Sequence, residues 1–586
     1  MNGQGRVALG SMAGAALAAL LAPMTRPFFS VPTGGIGAVT ISAYPKGWDY
    51  AVIAMLVLGA AVGGVLALLG TSRSEVLPPQ RGSQKGVYWT MFIVFVLMLF
   101  VHDHPYVLMD PFHEGEHLTA GDLLRKGERP YRDLYVFHGL ITEAGIDALA
   151  LGFGEQPSVL RVRRFRTVLD AATLALLVPI SAEVAMTATG MIAGVFCSLC
   201  AIAALWLPVF PFYRLAPVLL AVLGLLRYAR NGRASPLLLA FASATLGVLW
   251  SLDCGMFALA GTIGVAVLLR FLRIPGQLSW QRVVLLGLVA LLLPLLVLVL
   301  LRAGVRQFVV DSFVIMPRAI DATWGLPAPR PFTAEGLRYF LPPVFYGFLL
   351  ACAALAFRRR DVSRAAQLLI IATFSVLLFR TASGRVSWSH TRFAAPLLGI
   401  AVVAFVVEPL WLAKKRVLMV ALAIPLVWFL ELGPNSMAGA KLLAGWPARQ
   451  RHDGLVPYPT KAGRGIYASP DNAADLTSLK NAIDAMGPQE ATILDFSNER
   501  ALYYLLQRKP ATRCMEMSML SNETMLAEAM AQLNANPPLC VILSGYPEVA
   551  AFDGVANRDR VPELARWIDV NYPKRTQIGR FLVASR

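Results

Sequence analysis

The sequence predicts a polytopic α-helical membrane protein with a small α/β domain at its C-terminal end. Three observations carry this. Of 586 residues, 56% are hydrophobic and only 15% are charged, and the mean hydropathy is +0.58. Apolar runs reach membrane-spanning length, as in "VVLLGLVALLLPLLVLVLL" at 283–301. From Pro434 onward charge returns and the long apolar runs stop.

Hydropathy places about thirteen spans, near 7–24, 48–70, 87–104, 167–187, 188–208, 213–228, 235–250, 256–272, 283–302, 339–357, 364–380, 393–412 and 416–433. The first follows Arg6 with no clear cleavage site and is soon joined by a second, so it reads as a retained anchor rather than a signal peptide. Basic loops at 71–86, 227–233, 270–282, 358–364 and 414–416 all fall on one side under this count, which makes that side cytoplasmic. Residues 1–86 then form a two-span extension and 87–433 the main module. The opposite side holds loop 104–166, loop 303–338 and the tail 434–586, a linker plus a domain. The net charge of +17 is explained by these loops meeting anionic lipid, and no nucleic-acid partner is expected.

In the tail, "EATILDFSN" (490–498) and "PLCVILSG" (538–545) read as strands, and "QIGRFLVAS" (577–585) as a closing strand. "ERALYYLLQ" (499–507), "SNETMLAEAMAQLNA" (521–535) and "RVPELARWIDVNY" (560–572) read as helices. The alternation predicts a small α/β domain, with neither G-x-G-x-x-G nor P-loop to suggest a nucleotide. Cys197 and Cys200 lie in an apolar run and read as small apolar residues. Cys514 and Cys540 both lie in the tail, which leaves a disulfide open that spacing alone does not establish.

Loop 104–166 is where chemistry concentrates. Five of the seven histidines lie between His102 and His138. The acids Asp103, Asp110, Glu114, Glu116, Asp122, Glu128, Asp133, Glu143 and Asp147 crowd beside the bilayer, costly unless they face water, one another or a ligand. "GEHLTAGDLLRKG" and "HGLITEAGIDALALGFG" read as two interfacial helices. Within "DPFHEGEH" the pattern H-E-x-x-H offers zinc ligands His113 and His117 with Glu114 as base, and Glu143 or Asp147 as a third ligand. Against zinc stand Pro111 close upstream and Gly115 inside the motif.

"EGEHLTAGDLLRKGERPYRDLYVFHG" resembles the first outer loop of the GT-C class of integral membrane glycosyltransferases, especially the bacterial protein-mannosyltransferase-like and aminoarabinose-transferase-like members. Glu114-Gly115, Gly127, Pro130, Tyr131, Arg132, Asp133, His138 and Gly139 carry the likeness. "SLDCG" (251–255), "GRVSWSHTRFAAP" (384–396) and "LDFSNERALYYLLQRKPATR" (494–513) extend it more loosely. One departure stands out: the family places Asp directly before the Glu, whereas here that slot is His113 and the nearest Asp is Asp110. The resemblance implies a GT-C-like fold in the bacterial inner membrane with a periplasmic tail. It implies a polyprenyl-phosphate sugar donor, a lipid, glycan or protein acceptor, and no certain cofactor, since some relatives need a divalent ion and others do not.

The residues suit that chemistry. Transfer to a hydroxyl needs a carboxylate to accept its proton and cations to hold the leaving phosphate. Asp110 is the first candidate base and Glu114 the second, with His113, Glu116 and His117 beside them to orient substrate. Arg161, Arg163 and Arg164 of "RVRRFR", and Arg385, His390 and Arg392, are outer-side cations that serve either phosphate or lipid headgroups. Arg132 and Asp133 read either as substrate contacts or as a turn with a local ion pair; His138 is a sugar contact or a helix cap. Asp253, an acid at a span end, needs a partner and marks a cavity. Loop 303–338, with Trp324, reads as a lid or a structural cover. A zinc peptidase and a lipid-linked-glycan transporter are the competing classes.

Overall fold

The computed structural model describes residues 3–68, 84–101, 108–153, 156–202, 211–272, 278–386, 388–414, 451–545 and 551–586. Among these, nine helices are long and apolar enough to cross a membrane: α1 (Gly5–Phe28), α2 (Gly47–Leu66), α3 (Gln84–Val101), then, after the first-loop helix α4 (His113–Arg125), α5 (Val159–Val184), α6 (Phe212–Asn231), and, after the shorter α7 (Ala234–Trp250), α8 (Leu252–Phe271) and α9 (Trp280–Leu300). The short α10 (Met316–Trp324) precedes the last two, α11 (Ala334–Arg358) and α12 (Val362–Gly384). The chain is a polytopic helical membrane protein. The apolar stretches expected near 188–208, 235–250 and 393–412 form helices shorter than a full span over the described residues, and that near 416–433 lies outside them.

The bundle packs as lipid-embedded helices do, with small residues where backbones meet. α1 crosses α2 so closely that a Cβ at Gly14 would stand 2.0 Å from the Gly59 carbonyl oxygen. By contrast, α9 leaves most of its leucines and valines exposed, the side it offers to lipid. All six cysteines are free thiols; the Cys514–Cys540 pairing is not formed.

The tail folds as a mixed sheet with flanking helices. Two short strands, β1 (Val456–Pro457) and β2 (Tyr467–Ala468), precede α13 (Pro470–Met486). The main sheet runs in the order β3 (Leu494–Asp495), β4 (Val541–Ser544), β8 (Phe581–Ser585), β7 (Lys574–Ile578), with β3 and β4 parallel and the rest antiparallel. Helices α14 (Ala501–Leu505), α15 (Glu523–Ala535) and α16 (Pro562–Asn571) fill the connections. Asn522 caps α15, its side chain accepting the N–H groups of Thr524 and Met525. The closing segment is a hairpin rather than a single strand, because Gly579 at positive φ turns β7 into β8. A second hairpin, β5 (Ala551–Phe552) to β6 (Val555–Ala556), turns through Asp553 and Gly554, both at positive φ, as a two-residue type I′ turn requires.

The first-loop helix α4 is covered by the tail. Residues 114–123 of α4 are all buried, and Leu118, Ala120, Tyr131 and Leu134 share one apolar core with Ala501, Leu502, Tyr503 and Tyr504 of the tail. Gly115 is the point of closest approach: a Cβ there would fall 2.1 Å from the Ala501 nitrogen. The Ala501 N–H donates to the Pro111 carbonyl at 3.0 Å, and the Thr119 hydroxyl to the Arg500 carbonyl at 2.8 Å. The glycine in "HEGEH" is therefore a seat for the tail. Gly115→Ala is expected to overpack this contact and cost about 1–3 kcal/mol. A thermal unfolding midpoint equal to that of the wild type in detergent would contradict it.

Asp495 ends β3 with its carboxylate buried, accepting the Ser497 N–H at 2.8 Å and hydroxyl at 2.5 Å. Burial pushes this carboxyl up to about 6. A raised folded value means the folded protein holds the proton more tightly. The contribution is fully present below the ordinary carboxylate range and is lost as pH rises through about 6, a swing of about 3 kcal/mol. Against Asp495→Asn, which cannot titrate, the wild type should lose unfolding midpoint steadily between about pH 4 and about pH 7. A constant gap between the two proteins would refute the assignment.

Candidate active site

The turn before α4 is built around Asp110. Its Oδ1 accepts the N–H groups of Phe112 and His113, each at 3.0 Å, which closes the turn and serves the start of the helix. Its Oδ2 lies 2.8 Å from His113 Nδ1. Burial raises the Asp110 carboxyl, but the His113 ring and the two N–H groups outweigh it and hold the acid below the usual carboxylate range. An ionised Asp110 favours a proton on Nδ1, so that in the neutral ring the lone pair lies on Nε2. The His113 ring forms part of a cavity wall.

The neighbouring acids and His117 are committed elsewhere. Glu114, with its side chain 1% exposed, takes both Arg163 Nε and Nη2 at 2.8 Å and accepts the Asp110 N–H at 3.1 Å. A buried carboxylate held this way is a strut, not a free base. Glu116 is buried 3.2 Å from Arg500 Nη2 and 3.4 Å from His138 Nε2. Burial raises its carboxyl, with Arg500 opposing. His117 Nδ1 meets the Thr142 carbonyl at 2.9 Å, and burial pushes this imidazole well below its ordinary range. Glu143 accepts the N–H groups of Phe137 and His138 at 2.6 and 2.5 Å, and Asp147 forks onto Arg166. The partners that the zinc pattern needs are therefore spent. Among the described residues no three His, Cys, Asp or Glu side chains gather as a metal-holding set.

The cavity encloses about 360 Å³. His113 and His138 come from the first loop, Arg214 and Asp253 from the starts of α6 and α8. Asp321 and Trp324 come from α10, Arg380, Arg385 and His390 from the end of α12 and beyond, and Phe552 from the tail hairpin. Each of the three arginines faces an aspartate. Arg214 Nη2 is 2.9 Å from both Asp253 oxygens, Arg380 Nη2 is 3.2 Å from Asp321, and Arg385 forks onto Asp553 at 2.5 and 2.6 Å. Trp324 stacks on Phe137 at 4.8 Å and meets Phe552 edge-on at 5.0 Å, giving one aromatic wall. Burial pushes the His390 imidazole down to about 3 and that of His138 well below its ordinary range, so both are neutral.

Of the residues read from the sequence, His113, His138, Asp253, Arg385 and His390 meet at this cavity, with Asp110 directly behind His113. Arg132 is exposed and Asp133 pairs with Arg129 at 2.7 Å, so "YRD" is a turn with a local ion pair away from the cavity. Arg161 donates to the Gln156 carbonyl at 3.3 Å and Arg164 is exposed. "RVRRFR" belongs to the first turns of α5 rather than to the loop, and Arg163 faces inward to Glu114. The Arg392 side chain lies outside the described residues. Sequence reasoning passed over Arg214, Asp321, Arg380 and Asp553. The D-G turn signal in "AFDGVA" would have marked the hairpin that brings in Asp553. Arg214, alone between apolar runs, called for the same attention as Asp253.

Compared with known proteins, the chain matches no family model and no curated protein.

Proposed function

We propose that the chain is an integral membrane glycosyltransferase of the GT-C class, acting on a polyprenyl-phosphate-linked sugar at the periplasmic face of the bacterial inner membrane. On this reading the chain has about thirteen spans, and the first loop and tail domain lie in the periplasm. The observation that carries it is the pairing, on one cavity, of an Asp110-backed imidazole with three guanidinium groups.

The acceptor hydroxyl attacks the anomeric carbon, and the bond from that carbon to the phosphate oxygen breaks. The prenyl phosphate leaves with the electron pair. The hydroxyl proton passes to His113 Nε2, and Asp110 stabilises the imidazolium through Nδ1–H. The guanidinium wall receives the departing phosphate charge. The Trp324–Phe137 wall offers a face to the sugar ring. Asp110 thus works by positioning and charge, and His113, in the slot where the family carries Asp, is the base. The acceptor is a lipid, a glycan or a protein.

Among the described residues, the acidic neighbours of His113 and His117 are held by arginines or backbone N–H groups and leave no carboxylate set for a metal ion. The reading is tested by transfer from a polyprenyl-phosphate sugar in proteoliposomes, comparing the wild type with His113→Ala. Equal turnover by the two folded proteins would exclude His113 as the base.

A further inference from the structure

Arg385 is held in an unusual setting. Its guanidinium lies 4.8 Å from the Phe552 ring centroid and 5.6 Å from that of Trp324, and its two terminal nitrogens fork onto the Asp553 carboxylate. Asp553 is the turn residue of the β5–β6 hairpin, which reaches the cavity from the tail. Arg380 lies alongside: Gly384 lacks the Cβ that would stand 2.6 Å from Arg380 Nη1.

The hairpin does not need the Asp553 pair to stay in place. Arg560 donates to the Phe552 carbonyl at 2.6 Å and also to the carbonyls of Ile36 and Thr323 at 2.6 and 3.1 Å. Phe552 stacks on Phe112 at 5.2 Å. What the pair does is fill a planar fork, shaped for two oxygens, with a carboxylate from the same chain. Phosphate offers that fork the same two-oxygen geometry with further oxygens to spare.

We propose that Arg385 and Arg380 form an anion site for a phosphate-bearing ligand, and that the Asp553 carboxylate is its resting occupant, displaced when the phosphate binds. The site rests on the transferase reading only in taking that phosphate to be the one on a prenyl chain. Displacement frees the turn of the hairpin while Arg560 keeps its base anchored. The tail hairpin is thereby coupled to occupancy of the cavity.

The test is binding to the full-length protein in detergent, read without turnover, with two probes: a short-chain prenyl monophosphate and inorganic phosphate. Asp553→Asn keeps the turn, since Asn tolerates positive φ, and removes the competing charge. It should bind prenyl monophosphate roughly tenfold more tightly than the wild type, as expected when a resting competitor is removed. Arg385→Gln should abolish that gain, alone and combined with Asp553→Asn. Preference for the prenyl compound assigns the site to a lipid phosphate, and equal affinity assigns it to a free phosphate; either supports the anion site. In the wild type, saturation with the tighter probe should speed hydrogen exchange at Phe552–Val555. Equal affinity of Asp553→Asn and wild type for both probes, undiminished binding by Arg385→Gln, or unchanged exchange would each overturn the proposal. Phosphate binding of this pattern without sugar transfer would sink the transferase reading alone. Sugar transfer without any effect of Asp553→Asn on binding would sink the displacement alone.

Discussion

Asp110→Asn should lower the turnover of a polyprenyl-phosphate sugar by roughly 10²- to 10⁴-fold while leaving KM nearly unchanged. The amide can still accept the N–H groups of Phe112 and His113 that close the turn, so α4 starts as before. What it loses is the charge behind His113 Nδ1, and with it the control of which ring nitrogen carries the proton. The imidazolium that forms when the acceptor is deprotonated then has no counter-ion. The measurement is turnover at saturating donor beside an unfolding midpoint. A folded Asp110→Asn protein with wild-type turnover would remove Asp110 from the account. Glu114→Gln separates the two candidate acids. It breaks the Arg163 fork, so its first effect falls on the unfolding midpoint.

Arg500→Ala should cost about 3–5 kcal/mol and loosen the tail from the first loop. Arg500 is buried between Glu116 and Glu516, and its guanidinium lies 4.2 Å over the Phe112 ring. Removing it leaves two buried carboxylates facing each other with no cation. Replacing a buried pair by neutral groups is far cheaper than deleting one partner. Arg500→Met combined with Glu116→Gln and Glu516→Gln should therefore recover much of the loss. The readout is the unfolding midpoint together with protease sensitivity of the tail. An Arg500→Ala protein as stable as the wild type would mean that the charged cluster does not join the two parts.

The spans were legible in the sequence because length and apolarity alone define them, and nine of the predicted ones stand as full-length helices among the described residues. Helices α14, α15 and α16 and the strands β3, β4 and β8 were legible because period and caps are local, whereas α13 and the β5–β6 hairpin were not read. Partners were not legible. Glu114 looked like a free acid because Arg163 stands 49 residues away on a helix that begins earlier than hydropathy indicates. Gly115 looked like the variable position of a metal motif because the backbone of Ala501, which claims its space, arrives from the far end of the chain. The partners of α4 are equally distant in sequence: Glu116 and Thr119 meet Arg500 of the tail, and His117 meets the Thr142 carbonyl. His138, Asp253, Arg385 and His390 were found by type and position, but their convergence on one cavity depends on packing that no local pattern encodes.

The most direct measurement is release of prenyl phosphate from a pool of polyprenyl-phosphate sugars by the purified full-length protein in proteoliposomes, with membrane lipids and candidate glycan or protein acceptors supplied. The account predicts release matched mole for mole by sugar appearing on the acceptor, lost in His113→Ala. A pool left intact by the folded wild type, alongside peptide cleavage that a chelator abolishes, would contradict it.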